Sequence, residues 1–194
     1  MDSTIKDGNH GLGPASQWVV RWSHLIKPKS NVLDVACGHG RHMHYISDLG
    51  HLATGMDRSA LAIQTAQNYG KAVLADLENG PWPLESEGKI IAFGAVIVTN
   101  YLWRPLFPFI LNSLEENGIL IYETFSQGNE AVGKPSRPDF LLHRNELLKV
   151  CENLRVIAFE DGYLEMSNRF VQRIVAVRET NPPAGLNKPP AYLL

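Results

Sequence analysis

A doubly wound α/β fold on a mainly parallel sheet is what this sequence predicts, and three observations predict it. From Asn31 onward, short apolar runs alternate with stretches of helical spacing. The first of these runs leads through a glycine turn, Gly38-His39-Gly40, into a helical stretch. Finally, the chain closes on two strand patterns joined by a short polar connection, as an antiparallel hairpin requires.

Residues 1–14 are polar and Gly-rich, ending in Gly11-Leu12-Gly13-Pro14, and are expected to form a flexible leader. Trp18, Val19, Trp22, Leu25 and Ile26 then recur on one helix face, with Ser16 placed to cap the start and Pro28 beyond the end. The two tryptophans either pack in the core or roof a pocket. Strands are expected at 32–36, 52–56 and 72–75, separated by helices at 40–49 and 59–69, the latter opened by Ser59. After Pro81-Trp82-Pro83, the run 92–98 is the strongest buried-strand signal, followed by a helix over 105–116 and a strand over 118–125. The segment 126–140 is irregular and carries Gly128, Gly133, Pro135 and Pro138; connections of that length in compact domains are usually functional. A helix near 143–152 precedes closing strands at about 154–161 and 170–178. Residues 181–194 form a Pro-rich tail expected to fray over the surface. One domain, 15–180, between leader and tail suits a chain of 194 residues.

Composition narrows the function classes. The apolar fraction of 44% and charged fraction of 20% are ordinary for globular proteins, and a net charge of −2 gives no electrostatic reason to expect nucleic acid as a partner. Only two cysteines occur, Cys37 in the turn and Cys151 in an apolar helical pattern, so no disulfide framework is expected. The N-terminus lacks the basic and then apolar regions of a signal peptide, and no apolar run reaches the roughly 18 residues of a membrane span. A cytoplasmic protein without membrane association is expected.

The turn Asp34-Val35-Ala36-Cys37-Gly38-His39-Gly40 lies where an α/β sheet presents its ligand crevice. Gly38 and Gly40 allow a tight turn and close approach of backbone to a ligand. Gly-x-Gly alone is weak, but Asp57 follows at the end of the second strand, placed to accept both hydroxyls of a ribose. A dinucleotide fingerprint would carry glycine or alanine three residues after Gly40, where Met43 stands, and a phosphate-binding loop would need Gly-Lys-Ser/Thr, which is absent. Asp76, at the end of the third strand, either accepts an adenine amine, with a neighbouring backbone N–H on a ring nitrogen, or makes an ordinary Asx turn.

On these residues the sequence resembles the class I S-adenosylmethionine (SAM)-dependent methyltransferases along almost its whole length. Residues 32–40 match the first motif of that family, Asp57 its second-strand acid, Asp76-Leu77 its adenine-edge pair, residues 93–100 its fourth strand and Gly118-Ile119-Leu120-Ile121 its fifth. The resemblance implies a Rossmann-like sheet of seven strands in the order 3-2-1-4-5-7-6, the seventh antiparallel. It also implies SAM as cofactor and methyl transfer to a small-molecule acceptor. Asp34, Ala36, Gly38, Gly40, Asp57, Arg58, Asp76, Leu77 and Asn100 would be the cofactor-binding positions, with Asp34 near the amino end of SAM and the Gly38 and Gly40 backbones beside its methionyl chain. Asn100 would stand where methyl faces acceptor, unless it is only a strand-end turn residue. Glu123-Thr124-Phe125, Gly128-Asn129-Glu130 and residues 133–140 further resemble a small bacterial group related to tellurite-resistance-type methyltransferases. A non-catalytic SAM-binding module would keep the same glycines and Asp57. A nicotinamide-dependent oxidoreductase is the more distant alternative.

Asn100, Tyr101, Lys134 and Arg137 are the acceptor-side candidates. The residues after Asn100 lack the Pro-Pro that marks enzymes methylating nucleobase amines. Lys134 and Arg137, with His143 and Arg144 just beyond, either close as a lid over an anionic acceptor such as a metalloid oxyanion or form a solvated loop face. His42 and His44 diverge by about 200° on a helix and cannot share a metal, so His39, His42 and His44 are expected as solvated helix-end residues without one. Cys37 is expected as a small filler in a close-packed turn rather than a nucleophile.

Overall fold

The computed structural model describes residues 12–180 and 190–194. Seven strands form one sheet: β1 (Asn31–Val35), β2 (Leu52–Asp57), β3 (Lys71–Leu74), β4 (Phe93–Thr99), β5 (Leu114–Phe125), β6 (Arg155–Leu164) and β7 (Arg169–Val177). Their order across the sheet is 3-2-1-4-5-7-6. Strands β1 to β5 run parallel to one another, and β7 is antiparallel to both of its neighbours. Fold class, strand order and the closing hairpin are therefore as expected. A two-stranded ribbon, Glu85–Ser86 with Lys89–Ile90, forms a separate small sheet.

Among the described residues, five short helices cover the sheet: α1 (Gln17–Trp22), α2 (Arg41–Asp48), α3 (Ala60–Ala66), α4 (Phe107–Asn112) and α5 (Glu146–Val150). Side chains alternate across each strand, which splits the core into two layers. Val32, Ile97 and Ile121 pack with Trp18, Trp22, Met43, Ile46 and Ile63 under α1, α2 and α3. Leu33, Val35, Leu120 and Tyr122 pack with Leu106, Ile110 and Leu147 under α4 and α5. Both tryptophans of α1 are core residues; Trp18 and Trp22 meet edge to face, and the Trp18 indole N–H donates to the Ile174 carbonyl. Ser16 and Ser59 cap their helices as expected, accepting from the N–H groups of Trp18 and Ala62.

The expected helix over 105–116 is corrected. A 3-10 turn at Arg104–Leu106 leads into α4, which ends at Asn112, and Leu114 already pairs with Phe93. The ladder then jumps to Ala95 beside Ile119, so 115–118 bulge out of register, with Asn117 at φ 60°. Glu115-Glu116-Asn117 has the polarity of a helix end, but here it is an irregular strand start. Of the expected leader, residues 1–11 lie outside the described residues, as do 181–189 of the tail. The end of the tail does not fray: the Tyr192 hydroxyl donates to Glu179 at 3.0 Å, and the His24 ring meets the Leu193 carbonyl. Among the described residues no helix is long and apolar enough to cross a membrane.

Candidate functional site

The candidate cofactor residues leave the carboxyl ends of β1 to β4, and strand order reverses between β1 and β4, where a doubly wound sheet opens its crevice. Ala36 and Asn100, just past those two strands, both take a left-handed conformation with φ 54°.

The turn after β1 is fastened to β2. The Gly38 N–H donates to Asp57 Oδ2 at 2.9 Å, and the Ser59 N–H donates to Oδ1 at 2.8 Å, so the carboxylate joins the turn to the start of α3 with lone pairs to spare. Gly40 is required by packing as well as by its φ of 87°, because a Cβ there would stand 3.0 Å from the Ala66 Cα in α3. Met43, where a dinucleotide fingerprint has its third small residue, is accommodated from the opposite side. Gly55 in β2 faces it, and a Cβ at Gly55 would stand 2.7 Å from Cys37 Sγ and closer still to Met43 Sδ. Cys37 is the buried filler expected, and burial raises its thiol pKa, which holds the proton.

Asp34 points from β1 into the layer under α2 and is only 3% exposed. Its Oδ2 has no hydrogen-bond partner among the described residues. Burial pushes this carboxyl up to about 8; the Arg41 charge pulls it down, and Asp57 raises it further. Next to it lies His42, which corrects the expectation of a solvated histidine: it is 2% exposed. Its Nε2 accepts the Ser16 N–H at 3.1 Å, which leaves the ring proton on Nδ1, 3.5 Å from Thr99 Oγ1. Burial first, and then the Arg41 charge, lower the His42 pKa to about 3. The 3.8 Å approach of His42 Nδ1 to Asp34 Oδ2 is therefore a contact between two neutral groups near pH 7, too long for a hydrogen bond. His44 is half exposed beside Asp48, and His39 reaches Thr65 Oγ1 at 3.4 Å.

Three cavities lie along this edge of the sheet. One of about 160 Å³ is lined by Ala36, Asp57, Arg58, Ala75, Asp76, Leu77, Glu78 and Tyr101. A second, of about 240 Å³, lies over the turn, between Ala36, Gly38, Arg41 and His42 on one side and Thr99 and Asn100 on the other. The third, of about 250 Å³, is lined by Glu78, Asn100, Tyr101, Leu102, Thr124, Phe125, Pro135 and Phe140. Ala36 borders the first two, Asn100 the last two, and Glu78 with Tyr101 the first and third. Asp76 stands at the rim and makes the Asx turn, its Oδ1 accepting the N–H groups of Glu78 and Asn79 while Oδ2 accepts the Asn79 amide. These bonds hold its carboxyl below its ordinary pKa and leave it negative.

Of the 126–140 segment, Pro135 and Phe140 border the third cavity. Arg137 pairs with Asp139 at 2.8 Å and lies over the Phe140 ring, and Lys134 is exposed. A network that sequence reasoning missed stands on the far side of Asn100. Glu123, 1% exposed, accepts from the Ser16 hydroxyl and from Arg169 and Arg173, and Arg169 also donates to Asn100 Oδ1 at 3.0 Å. Its bonded partners lie up to 107 residues apart along the chain, and pairing of β5 with β7 brings Glu123 to the two arginines. A charged residue directly after the apolar run 119–122 of β5 was the signal available for Glu123.

No family model and no curated relative matches the sequence. Solved structures do: TehB from Haemophilus influenzae superposes with a TM-score of 0.64 at 20% identity over 83% of this chain. A SAM-dependent methyltransferase from Mesorhizobium loti gives 0.65 at 13% identity, with 87% of this chain and 100% of that one covered. This is the class I methyltransferase fold. The same fold carries the [4+2]-cyclase SpnF, at a TM-score of 0.61 and 14% identity over 84% of this chain and 79% of that one. The chain spans 61% of the length of TehB. Chemically, the edge of this class I fold offers a ribose-sized acceptor in Asp57 and a partly apolar slot beside Leu77 and Tyr101, with the buried, protonated Asp34 carboxyl behind the turn. It suits a pyrophosphate poorly, because the Gly38 N–H is taken by Asp57.

Proposed function

We propose that this protein is a SAM-dependent methyltransferase acting on a small molecule. The observation that carries the reading is Asp34: a buried carboxylate beside the glycine turn, with an oxygen that no described residue satisfies, is the feature a ligand ammonium would complete. The residues fit the cofactor elsewhere too. Asp57 has free lone pairs for the ribose hydroxyls, Ala36, Ala75, Leu77 and Tyr101 line the cavity that would take an adenine ring, and Asp76 lines it too. Arg58 borders the same cavity. Asn100, between the second and third cavities and steadied by Arg169, is the residue facing both cofactor and acceptor.

When bound, SAM supplies an electrophilic methyl on a sulfonium. The chain's own work is then to align an acceptor and exclude water, which positioning achieves without a triad. No nucleic acid or membrane partner is needed for this reading, which fits a cytoplasmic enzyme. Release of S-adenosylhomocysteine in the presence of small acceptors tests it. Turnover with any acceptor supports the enzyme reading, whereas tight SAM binding without turnover across a broad panel reduces the protein to a binding module.

A further inference from the structure

We propose that the third cavity is the acceptor site and that it takes a small, mainly apolar amine. This rests on the methyltransferase reading and goes beyond it by naming the acceptor class. The cavity shares Tyr101 and Glu78 with one cofactor cavity and Asn100 with the other, so a molecule inside it adjoins both. The cavity over Arg169 and Arg173 shares no lining residue with the two cofactor cavities.

The walls are the rings of Tyr101, Phe125 and Phe140 with Pro135, and the one charged side chain among the lining residues is the Glu78 carboxylate. Lys134, next to Pro135, is exposed and does not line the cavity, and the nearby arginines are engaged or lie elsewhere. Arg137 is paired with Asp139, Arg169 is held by Glu123 and Asn100 while standing 5.9 Å from the Phe125 ring, and Arg58 borders the adenosine-side cavity. An oxyanion or thiolate would therefore lose its hydration against aromatic faces and a carboxylate, with no lining cation to offset the loss. An amine meets the opposite balance. It enters as an ammonium and gives one proton to water at the mouth; the freed nitrogen lone pair forms the new N–C bond as the sulfonium S–C bond breaks, and the breaking pair stays on sulfur. Positive charge thus passes from sulfur to nitrogen, into a cavity whose ring faces and carboxylate stabilise cations. The Tyr101 hydroxyl, buried and without a partner among the described residues, can accept an amine N–H.

The test is S-adenosylhomocysteine release and product mass for benzylamine, phenethylamine and butylamine against benzyl mercaptan, benzoate and selenite, alongside a calorimetric SAM titration. At least one amine should raise release more than about tenfold over background and gain a single methyl, and Phe140→Ala should raise the KM for that amine about tenfold while SAM affinity stays within about twofold. SAM binding together with turnover of the thiol or selenite alone, or with no amine turned over, overturns the amine assignment and leaves the cofactor reading standing. Absence of SAM binding removes both. An unchanged amine KM in Phe140→Ala overturns the placement of the acceptor in this cavity.

Discussion

Asp57 and Gly38 are joined by a 2.9 Å hydrogen bond from the glycine N–H to the carboxylate, so the acid of β2 and the turn after β1 form one unit before any ligand arrives. Asp57 also lines the cavity that Leu77 and Tyr101 border. Asp57→Ala should therefore weaken SAM binding by about 1.5–3 kcal/mol, through lost charge-assisted bonds and a looser turn. Asp76→Ala should have a smaller effect, because that carboxylate is already committed to its Asx turn. Calorimetry on the two variants, with circular dichroism to check folding, compares them.

A second prediction concerns stability and pH. Asp34 has a folded pKa of about 8 against an ordinary 3.8, so between these values the folded state holds a proton that the unfolded state has lost, and stability falls as pH rises. His42 acts in the opposite sense over a lower range: its folded value of about 3 lies below the ordinary 6.5, so stability rises with pH between them. Above pH 6.5 the Asp34 contribution acts without this counterweight. Denaturant unfolding of the ligand-free protein should show stability declining from pH 6.5 to 8, and Asp34→Asn should flatten the decline. An unchanged slope in the variant would show that Asp34 is not the group responsible.

If the Asp34 carboxylate receives a ligand ammonium, it must ionise to do so. SAM binding at pH 7 should then release about one proton, read from calorimetry in buffers of different ionisation enthalpy. Affinity should rise with pH up to about 8, following the carboxyl's own value. Asp34→Asn should abolish the release and weaken binding; release that persists in the variant would move the ammonium elsewhere.

Gly55→Ala should destabilise the fold by about 1–3 kcal/mol, since the added methyl meets both Met43 and Cys37 in a filled layer. Adding Met43→Ala should restore part of the loss. Chemical denaturation of the single and double variants measures the coupling.

The sheet was legible in the sequence because its signals are local. Buried runs such as 93–98 and the turn Gly38-His39-Gly40 announce themselves within a few residues. What was not legible depends on distant partners. The polar Glu115-Glu116-Asn117 reads as a helix end, and only the pairing of Phe93 with Leu114 makes it a strand. His42 reads as a solvated histidine, yet Asp34, Thr99 and the Ser16 N–H enclose it from three other elements. Of the cofactor-side candidates, Ala36, Asp57, Arg58, Asp76 and Leu77 line one cavity and Ala36, Gly38 and Asn100 its neighbour, since they follow strand ends, whereas Asp34 and Gly40 line neither. Of the loop, Pro135 and Phe140 rather than Lys134 and Arg137 line the third cavity, and Arg137 is paired with Asp139.

The central claim is that the edge formed by Asp34, Gly38 and Asp57 binds SAM, and direct titration of the purified protein with SAM and S-adenosylhomocysteine tests it most directly. The account predicts micromolar binding of both, about −7 to −9 kcal/mol, and weaker binding in Asp57→Ala. No heat and no thermal shift with either ligand, or a folded Asp57→Ala that binds as tightly as the native chain, would contradict it.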